Sequence, residues 1–133
     1  MIPTQRPMDG FGSGEFGAPR AYGKHNGVDI VGLPGSPIVS LCAGKLTKIG
    51  YPYDPKDPVK GFLRYIQVTR LDGLRFRYFY ASTRLEVGRR IEIGQVIGSL
   101  QNVSHAYDAR MLPHLHFEVI DTEGEYLDPN QFF

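Results

Sequence analysis

The sequence predicts a mainly β protein, an antiparallel sheet or sandwich with long loops, and three observations carry that expectation. Sixteen glycines and ten prolines punctuate 133 residues, and the short stretches between them are rich in Val, Ile, Tyr and Phe, residues that suit a pleated, half-buried surface. No window keeps apolar residues at a helical period over a useful length, so helix content should be small. In "PHLHFEV", finally, extended chain puts His114, His116 and Glu118 on one face and Leu115, Phe117 and Val119 on the other.

Taken in order, residues 1–15 are expected to run as an irregular segment over the surface. "KHNGVDI" reads as extended chain with His25, Gly27 and Asp29 pointing one way and Val28 and Ile30 pointing into the core; the glycine would leave space for an ion. "SPIVSLCAGKLTKIG", "GFLRYIQVTR", "LRFRYFYAS", "RRIEIGQVIGSL" and "PHLHFEVID" read as strands, separated by turn-like stretches such as "YPYDPKDPVKG", "LDG" and "DTEG". "YIQVTRLDGLRFRYFY" has the pattern of a hairpin about Asp72-Gly73.

A chain of this length with 41% hydrophobic residues suits one domain, residues 1–133, with a core that needs no disulfide framework. Cys42 is the only cysteine and reads as small core filler. A net charge of +1 with interspersed signs lacks the basic field that nucleic-acid binding needs. The opening "MIPTQRPMDG" has no charged n-region leading into an apolar run, so neither a signal peptide nor a membrane span is expected.

Gly12, Gly14 and Gly17 fit a GxGxxG pattern, but no apolar strand precedes it and no helix can follow to hold a pyrophosphate, so a nucleotide site is not expected. The histidines are more informative. His25 and Asp29 alone read equally as a surface histidine and a turn aspartate, and "HLH" alone as two half-exposed strand residues. Together they offer imidazole nitrogens and a carboxylate, the donors of a catalytic Zn²⁺ with three protein ligands and a fourth position for water. His25, Asp29 and one of His114 and His116 would make that set, leaving the other histidine as general base or acid.

These residues carry a resemblance that covers about residues 16 to 130. The chain resembles the lysostaphin-type (LytM-like) zinc metalloendopeptidases that cut peptidoglycan: "HNGVDI" matches their HxGxD element, "GSPIVSLCAGKLTKIG" a glycine-punctuated strand pair, "LEVGRRIEIGQVIGSL" a paired-glycine hairpin, "PHLHFEV" their HxH element and "YLDPNQF" their closing Asp-Pro. The resemblance implies a duplicated-hybrid-motif-like fold whose loops form a groove over a Zn²⁺ held by His25, Asp29 and His116, with His114 handling the proton of the attacking water. Zn²⁺ brings the pKa of water towards ~7, where an imidazole can take its proton. Glu118, on the same strand face, would either orient a ligand histidine or stand as a solvated strand residue.

One position departs from the family pattern: Tyr80 of "YFYAS" stands where cleaving members carry a second catalytic histidine. A phenol can still donate a hydrogen bond to an oxyanion, a contribution worth ~10²- to 10³-fold, but with an unperturbed pKa of about 10 it is no base at neutral pH. The same tyrosine marks the leukocyte cell-derived chemotaxin branch, which resembles this family, binds zinc and is regarded as non-proteolytic; that branch's disulfide cysteines are absent here. His105 lies before the HxH strand, near enough in sequence to overhang the groove, and Tyr107 with the aromatics of "RYFY" would line it or pack.

The functional expectation is a zinc-dependent endopeptidase acting on peptidoglycan peptides at the bacterial cell wall, either as a phage or prophage lytic product or as a domain of an exported protein. The first alternative is a zinc-containing module that binds wall peptide or a protein partner without cutting it. The second is a metal-free carbohydrate-binding β domain.

Overall fold

The computed structural model describes residues 19–20, 23–24, 26–103 and 112–133. The segment 1–15 with its GxGxxG pattern, His25, His105 and Tyr107 lie outside the described residues. The strands are β1 (Pro19–Arg20), β2 (Gly23–Lys24), β3 (Val28–Val31), β4 (Pro37–Val39), β5 (Gly44–Gly50), β6 (Tyr65–Arg70), β7 (Arg75–Phe79), β8 (Ala81–Ser82), β9 (Arg90–Ile91), β10 (Val96–Leu100), β11 (His114–Ile120) and β12 (Tyr126–Leu127). A 3-10 turn, Pro129–Phe132, follows, capped by the Asp128 side chain. Among the described residues no helix is long and apolar enough to cross a membrane.

Every ladder is antiparallel. The large sheet runs β12-β11-β7-β6-β5-β9, with β3 joining β11 on the edge that β12 also uses; β4-β10-β8 form a smaller sheet, and β1 pairs with β2. The expected hairpin about Asp72-Gly73 is present as β6–β7. Gly73 takes φ 90° at its tip, a left-handed conformation that favours glycine, and the Arg70 guanidinium grips the Asp72 carboxylate at 2.6 and 2.9 Å.

Two stretches expected to pair internally are instead shared between the sheets. In residues 36–50 β4 joins β10 while β5 joins β6 and β9, and in residues 85–100 β9 joins β5 while β10 joins β4 and β8. The paired-glycine segment is therefore no hairpin, although Gly88 and Gly94 both take positive φ at turns. The physical reason lies in the apolar side chains: Ile38, Ile91, Ile97 and Leu100 are all buried in one cluster, which two sheets meeting face to face can enclose and a lone hairpin cannot.

The alternation read from the sequence sets the core. Val28 and Ile30 of β3, Leu115, Phe117 and Val119 of β11, Phe76 and Tyr78 of β7, and Cys42 are buried on the side facing the small sheet. The Tyr78 hydroxyl accepts from the Leu41 backbone N–H at 3.0 Å, so this buried phenol has its polar end satisfied. The opposite face of the large sheet carries the candidate site.

Candidate active site

Register alone brings one row of residues into line across five strands. Gly50 faces Tyr65, Tyr65 faces Phe79, Phe79 faces His116 and His116 faces Asp29. The row works because directly opposed side chains lie on the same face of a sheet, within about 5.5 Å at Cβ. Tyr65 and Phe79 pack with ring centroids 4.7 Å apart, and Phe79 meets the His116 ring edge-on at 5.3 Å.

At the end of this row His116 Nδ1 is 2.8 Å from Asp29 Oδ1 and His116 Nε2 is 2.9 Å from Glu118 Oε1. Both carboxylates are buried, Asp29 at 3% and Glu118 at 8% exposure. Burial pulls the His116 pKa down, but the hydrogen bonds to Asp29 and then Glu118 outweigh it and push the ring up to about 9. Glu118 is thus the acceptor on the far nitrogen of His116 that the strand alternation allows, and it is not a solvated strand residue.

His114 sits two residues before, 4% exposed. Its Nδ1 lies 2.8 Å from the Leu112 carbonyl oxygen. A carbonyl only accepts, so Nδ1 carries the hydrogen and, in the neutral ring, Nε2 is the basic nitrogen. That Nε2 faces Asp29, 3.9 Å from Oδ2, beyond hydrogen-bond range.

Tyr80 closes the other side of His114, its ring edge-on with centroids 5.5 Å apart and planes at 88°. The backbone explains how it gets there. The stretch "YFYAS" does not continue as one strand: Tyr80 has φ 70° and is the only non-glycine described residue with positive φ, so the chain turns between β7 of the large sheet and β8 of the small one. Such a conformation costs of order 1 kcal/mol and persists only where surroundings impose it. Here the Tyr80 and Ala81 N–H groups both reach the Arg64 carbonyl, at 2.8 and 3.1 Å, and Gln101 N–H donates to the Tyr80 carbonyl at 2.8 Å. The Gln101 side chain accepts from Arg64 N–H and donates to the Phe62 carbonyl, both at 2.9 Å. Tyr80 packs against buried Leu63 and Val103, as Tyr53 does.

Gly27 has a different reason for being glycine than space for an ion. A Cβ there would collide with the Phe117 carbonyl oxygen and touch the Glu118 side chain, so the missing side chain lets β3 lie close against β11 and brings Asp29 to His116. Of the aromatics of "RYFY", Tyr78 is core, while Phe79 and Tyr80 border the two histidines. The Leu112 carbonyl and the Gln101–Arg64 clamp had no sequence signal, because backbone acceptors look the same in every sequence.

The donor set has the chemistry of a divalent-cation site. One carboxylate oxygen and one imidazole nitrogen meet at 2.8 Å, and a second carboxylate holds the far nitrogen of the same ring, the arrangement by which outer carboxylates orient ligand histidines. Among the described residues no group of three His, Cys, Asp or Glu side chains is placed to hold a metal ion. A third donor would come from His25, which lies outside the described residues.

The antiparallel sheets share their architecture with solved peptidase domains. The chain belongs to peptidase family M23, whose family model matches residues 23–129. The catalytic domain of the antimicrobial peptidase lysostaphin from Staphylococcus simulans is 26% identical, with a TM-score of 0.69 over 91% of this chain and 89% of that one. The catalytic domain of the prophage-encoded M23 protein EnpA from Enterococcus faecalis shares the fold at 19% identity, TM-score 0.61, covering 80% of this chain and 77% of that one. Leukocyte cell-derived chemotaxin-2 from Bos taurus is 27% identical over 116 residues, 87% of this chain and 73% of the relative.

Proposed function

We propose that this protein is a zinc-dependent endopeptidase that hydrolyses peptide bonds of bacterial peptidoglycan, acting as one domain at the cell wall, from a phage virion or as an exported product. What supports the reading above all is the opposition of Asp29 and His116 at 2.8 Å with His114 alongside. Asp29, His116 and His25 would hold the ion. When bound, the ion supplies a Lewis acid for the scissile carbonyl and brings the pKa of water towards ~7.

The remaining work falls to the chain. His114, with Nδ1–H held by the Leu112 carbonyl, accepts the proton of the attacking water at Nε2 and returns it to the leaving amine nitrogen as the C–N bond breaks. Tyr80, fixed beside His114 by its backbone turn, donates its phenolic hydrogen bond to the oxyanion that forms. Glu118 keeps the His116 ring in orientation.

A second reading is favoured by Tyr80 itself, together with the likeness to chemotaxin-2: a zinc-containing module that binds wall peptide or a protein partner without cutting it. Incubating purified peptidoglycan with zinc-loaded protein separates the two. New amino termini released by wild type and not by His114→Ala support the peptidase. Protein that pellets with the wall and releases nothing supports the binding module.

A further inference from the structure

The sheet face beside His116 carries a second constellation that the proposed chemistry leaves unused. One step along the same ladders, Glu118 faces Arg77, Arg77 faces Gln67, and Gln67 faces Lys48. The β5 register shifts between Leu46 and Lys48, and the intervening Thr47 hydroxyl meets this same face, 2.7 Å from the Thr69 hydroxyl and accepting from Gln67 Nε2 at 3.1 Å. Gln67 is buried, and its Oε1 accepts from Arg77 Nε at 2.8 Å. Thr69, Thr47, Gln67 and Arg77 therefore form one hydrogen-bonded chain over three strands.

That chain fixes a guanidinium by one of its five N–H donors. Its carbon lies 5.3 Å from the Tyr65 ring centroid, and Lys48 Nζ lies 5.6 Å from the same ring. Two cations thus border one aromatic ring in the row that ends at Asp29 and His116. The carboxylate opposite Arg77 is Glu118, whose Oε1 is engaged by His116, and among the described residues no ion pair or second hydrogen bond is made by Arg77. Arg75, on the same strand face, donates to the Asp121 carbonyl. Tyr126 adds a phenol that feels Glu118, Arg77 and Arg75.

The Tyr65 ring and the Gln67 amide account for where the guanidinium sits but leave its Nη edge without a partner among the described residues, and a planar anion fits that edge in two parallel hydrogen bonds. We propose that Arg77, oriented by Gln67 and assisted by Lys48, is a subsite for a carboxylate of an acidic peptide lying along the sheet face, about two residues from the Asp29–His116 centre. Arg77 lies diagonally from His116, one strand over and two residues along, and such diagonal neighbours are ~7–8 Å apart, close to the length of an extended dipeptide. That the peptide is a substrate rests on the peptidase reading; that the face binds a carboxylate does not.

The test is equilibrium binding, by calorimetry or NMR titration, of L-Ala-D-isoGlu-L-Lys-D-Ala with free carboxylates and of the same peptide fully amidated. The zinc-loaded full chain should bind the acid at least ~10-fold more tightly, as charge-assisted hydrogen bonds require. Arg77→Gln should abolish the preference by weakening the acid far more than the amide, whose carbonyl loses only a neutral hydrogen bond, and Arg77→Lys should retain only a part that salt removes. If Arg77→Gln does not fold, Gln67→Leu, which frees the guanidinium while keeping its charge, should reduce the preference several-fold. Equal binding of acid and amide by wild type, or an undiminished preference in the folded variants, overturns the subsite. Preferential acid binding without bond cleavage upholds it while removing the enzyme.

Discussion

His116 lies directly opposite Asp29 on the β3–β11 ladder, with 2.8 Å between Nδ1 and Oδ1. The opposition is set by backbone pairing, which puts both side chains on one face of the sheet. If the proposed zinc site is as assigned, Asp29→Ala and His116→Ala should each fold yet fail to hold zinc that wild type takes up, as metal analysis after gel filtration would read. Retention of one zinc per chain in either variant would disprove the assignment.

Glu118 should tune the metal without touching it. Glu118→Gln keeps shape and a hydrogen bond to the His116 ring but loses the charge behind it, and such outer-sphere changes typically cost 10- to 100-fold in metal affinity, so a loss of about that size is expected. Competition against a fluorescent zinc chelator measures it.

His114→Ala should retain zinc while cleavage falls by ~10²- to 10⁴-fold, the range for a lost proton-transfer group. Tyr80→Phe should lower kcat by ~10²- to 10³-fold with little change in KM, because an oxyanion contact exists only in the transition state. Unchanged turnover in Tyr80→Phe would assign the ring to packing against His114 alone.

Gly27→Ala tests the close approach of β3 and β11. Its Cβ would meet backbone at Phe117, which cannot move as a flexible side chain can, so the variant should lose about 1–3 kcal/mol of stability and weaken zinc binding as Asp29 is displaced. Urea unfolding followed by chelator competition reads both effects.

The β6–β7 hairpin carries a pH signature. The Arg70 guanidinium, through its side-chain hydrogen bonds, holds the Asp72 carboxyl down at about 2 against an ordinary 3.8. A depressed carboxyl pKa stabilises the fold fully above the unfolded value and loses that contribution as pH falls through the folded one. NMR titration should place Asp72 near 2 and return it towards its ordinary value in Arg70→Gln.

Period-two alternation was enough to read the β class, the hairpin at Asp72-Gly73 and the division of β11 into a core face and a histidine face, because neighbouring residues alone set these features. The motif spacing likewise nominated His25, Asp29, His114 and His116, of which His25 lies outside the described residues. Tertiary structure decided the rest. It divided residues 36–50 and 85–100 between two sheets, since burying their apolar side chains needs partners far along the chain. It gave Gly27 a packing role, fixed the His114 tautomer through a backbone carbonyl and turned Tyr80 onto His114 through the Arg64 and Gln101 contacts. Each of these depends on which backbone atom lies opposite which side chain, and that is a matter of register between distant strands.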